Sequence, residues 1–234
     1  MYHSIDMNFL WAVDIETVPS DKIEDIVNKM EFSAPSNYKD PEKIAAYVAE
    51  RREAAKLDGG LSWMTGKIVS YAFVNVGDVA NGIKPRTVSS CGVDEKQLLT
   101  KMVADMQSNS MMNLIGKTSE VFDFPYIRGR CIANDIAMPD TLRNRYQLFD
   151  IDSILCGRQG TKQTGSLNSY LEACELPTKT GKGSEVYGKY LSAIAAKVAN
   201  NMNEYKAKMV EIKDYNINDT IATAQLAYRL LRSA

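Results

Sequence analysis

Apolar and polar positions along the chain follow two periods, one of strands and one of helices. Residues 9–19, Phe9-Leu10-Trp11-Ala12-Val13-Asp14-Ile15-Glu16-Thr17-Val18-Pro19, form an apolar run whose later part carries two carboxylates. Such a run reads as a strand buried on both faces. Because side chains alternate along a strand, Asp14 and Glu16 point to the same side. Residues 67–76 are rich in β-branched and aromatic side chains and predict a central strand, 87–90 an edge-like strand, 111–116 a strand running into a loop, and 148–151 a short strand. Helices are predicted over about 20–30, over 41–57 between Asp40-Pro41-Glu42 and the stop Gly59-Gly60, from Asp94 to about Met106, and over 124–132. Another runs from Ser166 to near Pro177, and the chain reads as helical from Glu185 almost to its end. Gly77-Asp78 and Asn81-Gly82 read as turns, and Thr178–Gly183 as a flexible basic loop. Strands early, with helices interleaved and then dominant, predict an α/β sheet with helices packed on it. There is no internal repeat or linker, so one domain over 1–234 is expected.

Composition narrows the functional classes. The chain has 234 residues, 45% apolar and 24% charged, enough for a well-packed core. With 28 basic and 29 acidic residues the net charge is −1, so no global positive field draws it to polyanions, and nucleic-acid binding would need a local patch or metal ions. Cys91, Cys131, Cys156 and Cys174 lack a C-x-x-C spacing and His3 is the single histidine, which leaves too few ligands for structural zinc. Scattered thiols fit a reducing cytoplasm. The N-terminal apolar stretch is short and carries Asp14 and Glu16, so it reads as neither signal peptide nor membrane span.

The chemistry collects on carboxylates. Asp14 and Glu16 place two like charges on one side of a strand, an arrangement that favours a hard divalent ion with oxygen ligands, Mg²⁺ or Mn²⁺. Phe122-Asp123-Phe124-Pro125-Tyr126 sets a carboxylate where a strand-loop gives way to a helix. Tyr215-Asn216-Ile217-Asn218-Asp219 puts a phenol and a carboxylate on one helix face, one turn apart. Asp150 and Asp152 form a second D-x-D without a partner motif, and a structural role is expected. Arg128, Arg130 and the loop residues Lys179 and Lys182 are either solvated surface or phosphate contacts, with the loop lysines favoured for the second role.

Asp14, Glu16, Asp123 and Asp219 in this order, with Tyr215 four residues before the last, resemble the tyrosine-bearing branch of the DEDD exonuclease superfamily. The chain is similar to the 3′–5′ exonuclease domains related to family-B DNA polymerases, in their stand-alone form. Gly116-Lys117-Thr118-Ser119-Glu120-Val121-Phe122-Asp123-Phe124-Pro125-Tyr126-Ile127 resembles the second motif of that family, and Trp63–Val69 and Ser166–Leu171 also resemble its stand-alone members. The histidine branch does not fit, because Asp214 stands five residues before Asp219. The resemblance implies an RNase H-like α/β fold with a mixed sheet flanked by helices. It also implies a two-metal 3′–5′ exonuclease acting on DNA 3′ ends, single-stranded DNA favoured. Asp14 would bridge both ions, Glu16 and Asp219 would complete the nucleophile-side metal, Asp123 would hold the second, and Tyr215 would orient the attacking water. Metal pairs of this kind lie roughly 3.5–4 Å apart. Thr17, Thr118 and Phe122 are carried over as substrate contacts, beside Lys179 and Lys182. Thr118 departs from the pattern, since the family has Asn there and a hydroxyl offers fewer hydrogen bonds than an amide. With no room for a polymerase domain, proofreading would act in trans on a polymerase. The alternatives are a 3′–5′ exoribonuclease and a catalytically weak nucleic-acid-binding module.

Overall fold

The computed structural model describes residues 5–156, 165–179 and 181–233. His3 of the composition argument and Thr180 of the basic loop lie outside them. Among the described residues five strands form one mixed sheet: β1 (Leu10–Pro19), β2 (Gly66–Asn75), β3 (Thr87–Cys91), β4 (Asn113–Gly116) and β5 (Leu148–Asp150), in the order β3-β2-β1-β4-β5. The neighbours of β2 run antiparallel to it, and β1, β4 and β5 run parallel. The α-helices among the described residues are α1 (Ile23–Asn28), α2 (Pro41–Leu57), α3 (Val76–Ala80), α4 (Glu95–Ser108), α5 (Asp123–Ala133), α6 (Asp140–Arg143), α7 (Ile151–Cys156), α8 (Leu167–Ala173), α9 (Ser184–Val198) and α10 (Met202–Ser233). This is the RNase H-like α/β architecture expected from the sequence.

Alternation along β1 divides the core. Trp11, Val13 and Ile15 face one side, where they meet α4 (Glu95–Ser108) through Leu98, Leu99, Met102 and Met106, and α5 (Asp123–Ala133) through Phe124, Tyr126 and Ile127. Leu10 and Ala12 face the other side, against Leu167 and Leu171 of α8 (Leu167–Ala173) and Ala222, Ala224 and Leu226 of the long α10 (Met202–Ser233). Farther along this second side Val18 and Val69 pack on α9 (Ser184–Val198) and on Met209, Ile212 and Tyr215 of α10. Asp14 and Glu16 are the next even positions after Ala12, so the period of two delivers both to the α10 side.

Where the elements differ from the expectation, local chemistry explains it. Gly77-Asp78 is a short helix, Val76–Ala80, and not a turn: the Asn75 side chain caps it by accepting from Asp78 N at 3.0 Å, and Gly77 lies so close to Asn8 and Met7 that a Cβ would stand 2.9 Å from their oxygens. The C-terminal helix is interrupted between α9 and α10, where Asn200 takes a left-handed φ of +58°, a conformation that asparagine tolerates better than most residues. The helix Pro41–Leu57 forms as predicted on its Asp40 cap and contributes no buried residue, in keeping with its charged surface. The helices Asp140–Arg143 and Ile151–Cys156 span only four and six residues, too few for an apolar pattern to repeat at helical spacing. No helix among the described residues is long and apolar enough to cross a membrane.

Candidate metal centre

Asp14, Glu16 and Asp219 converge on the α10 side of the sheet, and one carboxylate oxygen from each lies within 4.8 Å of the others. Glu16 and Asp219 are buried and Asp14 is half-buried. A break in the β1–β2 register between Glu16 and Thr17 marks a bulge directly after the second carboxylate, a device common beside functional sites because it re-aims side chains. Asp219 is brought in by α10, whose Ile212, Ala222 and Leu226 seat the helix on the sheet.

Asp123 arrives by a different route. The parallel pairing of β1 with β4 extends only from Leu10 to Ala12, so β1 leaves its neighbour before the carboxylates begin. The freed N–H of Ile15 donates to Asp123 Oδ1 at 3.3 Å, which binds the start of α5 to the open edge of β1. Asp123 thus stands beside the group of three, and its charge bears on Asp14.

The electrostatics are those of a site short of positive charge. Burial, reinforced by Asp123 and Asp219, holds the Asp14 carboxyl well above the usual range. Burial and then Asp14 do the same to Glu16. Burial pushes Asp123 up to about 7, against the pull of its backbone hydrogen bonds, with Asp150 adding to the rise. Asp219 is raised because burial outweighs the Lys179 ammonium beside it. Its Oδ1 is buried with no hydrogen-bond partner among the described residues. A buried carboxylate oxygen left without a donor is costly, and a cation held between the three side chains would satisfy it. Asp14, Glu16 and Asp219 can therefore hold a divalent metal ion: the donor set is all oxygen, as Mg²⁺ and Mn²⁺ require.

One cation already reaches in. Lys179 Nζ donates to Tyr215 Oη at 3.0 Å and pairs with Asp219 Oδ2. Burial alone would lower the Lys179 pKa, but the bonds to Asp219 and Tyr215 prevail and raise it, so the group stays an ammonium at neutral pH. Burial raises the Tyr215 phenol too, in spite of Lys179, so it is a neutral hydroxyl and no base. The loop is fixed from behind by Asn168, whose Oδ1 accepts from Lys179 N at 3.0 Å, and Gly181, at φ +89°, lies flat on the Tyr215 ring, where a Cβ would sit 3.2 Å from two ring carbons. Lys182 is exposed on the same loop.

The fold of the chain is similar to that of the family B DNA polymerase from the hyperthermophilic archaeon Pyrobaculum calidifontis. The TM-score is 0.52 at 16% identity, and the match takes in 95% of this chain and 24% of the polymerase chain. At that identity the likeness is one of fold, and this chain spans about a quarter of the polymerase chain. No protein-family model and no curated protein matches the chain.

The other predicted residues have partners of their own. Thr17 sits on the bulge, its hydroxyl donating to Gly60 O at 2.7 Å. Phe122, half-buried, directly precedes Asp123, and its ring meets that of Tyr126 at a tilt of 50° with centroids 5.4 Å apart. Thr118 has a left-handed φ of +61°, and its hydroxyl is bound to Asp152 Oδ2 at 2.6 Å and to Lys117 Nζ at 2.8 Å. Asp150 is structural: it accepts from Glu120 N, Asp152 N and Ser153 N, fastening the Ile151–Cys156 helix to the loop ahead of α5. The two arginines are half-buried and partly committed to the protein. Arg130 forks onto Glu95 and Trp63 O, and Arg128 donates to Leu142 O.

Two residues of the centre escaped the sequence reading. Asn168 appeared only as part of a helix start, and Asn216 as a spacer between Tyr215 and Asp219. A signal was present for Asn216: with Thr220 and Thr223 it puts polar side chains on a helix face otherwise filled by Ile212, Ala222 and Leu226, and all three prove buried.

Proposed function

We propose that the chain is a metal-dependent 3′–5′ exonuclease that hydrolyses phosphodiester bonds at the 3′ end of DNA, single-stranded ends favoured. The observation that carries the reading is the converging group Asp14, Glu16 and Asp219 with its buried and unpartnered Asp219 Oδ1. The motif order that resembles DEDD exonucleases and the fold likeness to a family B DNA polymerase support it.

Asp14, Glu16, Asp219 and, from the β1 edge, Asp123 would hold the cations. When bound, divalent ions supply stabilisation of charge on the reacting phosphate and acidify the attacking water. The remaining work falls to the chain. Tyr215, a phenol held neutral, can orient the attacking water through its hydroxyl without removing its proton. Lys179 holds that hydroxyl in place and offers an ammonium to a phosphate oxygen once it leaves Asp219. Phe122 offers a ring for a terminal base, and Lys182 an exposed charge for the backbone. Thr17 has its hydroxyl committed to Gly60, so it shapes the site wall.

The test is hydrolysis of end-labelled single- and double-stranded DNA and RNA with Mg²⁺ or Mn²⁺ and with chelator, beside Asp14→Ala. Stepwise shortening from the 3′ end of DNA that needs metal and Asp14 is expected. Preference for RNA would make the chain an exoribonuclease, and binding without shortening would make it a binding module.

A further inference from the structure

Asn216 is completely buried on α10, between Tyr215 and Asp219, and its Nδ2 donates to Asp14 Oδ2 at 2.6 Å across 202 residues of chain. On its other side Asn216 Oδ1 accepts from Ser70 Oγ at 3.0 Å. Ser70, also completely buried, lies opposite Glu16 in the β1–β2 ladder, so its side chain shares the face of Glu16 and Asp14. The Ser70 hydroxyl has one proton and two acceptors in reach, Ser90 O at 3.2 Å and Asn216 at 3.0 Å, and the shorter contact is the one that orients the amide.

This relay has a chemical logic. Asp14 is crowded by like charges, and a carboxylate among others tends to rotate away or take up a proton. A Lys or Arg donor would hold it but would compete with a metal ion for the same negative charge. A neutral amide supplies a directed donor and no charge. It engages one oxygen of Asp14, and no donor among the described residues reaches the other. The amide can point its NH₂ at Asp14 only if its carbonyl is satisfied elsewhere, which Ser70 does. Because Asn216 and Asp219 lie three residues apart on one helix, the same bond also sets α10 against β1, and with it the separation of Asp219 from Asp14.

We infer that Asn216 is a positioning residue of the metal centre: oriented by Ser70, it fixes the rotamer of Asp14 and the distance from Asp14 to Asp219, so that a divalent ion finds its ligands already in place. The inference rests on the exonuclease reading only through the metal site, and its test reads metal binding directly.

Mn²⁺ binding to the full chain is measured by titration calorimetry for the wild type, Asp14→Ala, Asn216→Leu, Ser70→Ala and the Ser70→Ala/Asn216→Leu double variant, with melting in chelator as the check on folding. Loss of an outer-shell partner weakens metal binding roughly 10–100-fold. A fall of that size is expected for Asn216→Leu and a smaller fall in the same direction for Ser70→Ala. The double variant should match Asn216→Leu, because Ser70 acts through the amide. On end-labelled DNA the variants should lose kcat at saturating substrate with KM unchanged, and extra Mn²⁺ should restore part of the rate. If Asn216→Leu does not fold, Ser70→Ala decides alone, since it leaves the Asp14 contact in place: wild-type affinity in that variant overturns the relay. Wild-type affinity in a folded Asn216→Leu, or additive losses in the double variant, overturn the inference and leave the metal site standing. Absence of Mn²⁺ binding to the wild type, or binding unchanged in Asp14→Ala, overturns the metal site itself and this inference with it.

Discussion

Lys179 gives the sharpest quantitative prediction, because its ammonium stands on a carboxylate that a metal ion would need. The side chain is 22% exposed and pairs with Asp219, itself 7% exposed, so little of the interaction is lost to solvent screening. A hydrogen bond between ionised groups contributes about 1.5–3 kcal/mol. A cation binding to Asp219 gives up that contact or suffers the repulsion of the ammonium. Replacing Lys179 by Met keeps length and apolar stem while removing the charge. With about 1.4 kcal/mol per tenfold in affinity, Lys179→Met should bind Mn²⁺ roughly 10–100-fold more tightly. The measurement is calorimetry in metal-stripped buffers of differing ionisation enthalpy, so that protons released from the raised carboxyls of Asp14, Glu16, Asp123 and Asp219 are separated from the binding of the metal. In chelator the same variant should melt lower, because the crowded carboxylates lose their counter-charge. Equal or weaker Mn²⁺ binding by Lys179→Met would refute the reasoning and show that the ammonium belongs to the loaded site.

Four further outcomes follow from the same geometry. Asp14→Ala should abolish hydrolysis while its melting temperature in chelator stays at or above that of the wild type, since one of several crowded charges is gone; activity within a few-fold of wild type would remove the metal-site assignment. Tyr215→Phe should lower kcat by up to about 10²-fold with KM and Mn²⁺ dependence nearly unchanged, whereas Asp219→Ala should raise the Mn²⁺ requirement, which rate titrations against metal and substrate separate. The metal-free protein should lose stability as pH rises from about 4 through about 7: the Asp123 pKa is raised on folding, from 3.8 to about 7, so its contribution is full below the unfolded value and is lost above the folded one. That rise corresponds to a change on the order of 4 kcal/mol, which melts in chelator across this range would reveal and saturating Mn²⁺ would reverse; a flat profile in chelator contradicts it. Thr118→Asn should stabilise the fold by about 1 kcal/mol, because asparagine tolerates the left-handed backbone that a β-branched residue resists and can still donate to Asp152; a lower melting temperature would show that the hydroxyl contact outweighs the strain.

Much of the centre is legible in the sequence because it follows from periodicity. Leu10, Ala12, Asp14 and Glu16 share a face by the period of two, and Tyr215 and Asp219 share one by the helical turn; neither needs knowledge of the rest of the fold. The α/β class follows in the same way from the apolar runs and the helical spacing of Leu98, Leu99, Met102 and Met106. Short elements escaped because their causes are single side chains, Asn75 capping one helix and Asp150 fastening another. What only the tertiary structure decided is which faces meet. Asn216 reads as a spacer until α10 lies across β1 and β2 and its amide finds Asp14 and Ser70. Lys179 reads as a loop charge until Asn168 turns its backbone towards Tyr215 and Asp219. Asp123 reaches the carboxylates because β1 parts from β4 after Ala12 and leaves the Ile15 N–H open. Periodicity is a property of neighbours in sequence and fixes the direction of a side chain. The partner it meets depends on contacts between residues some 40 to 200 positions apart, set by the packing of the whole core.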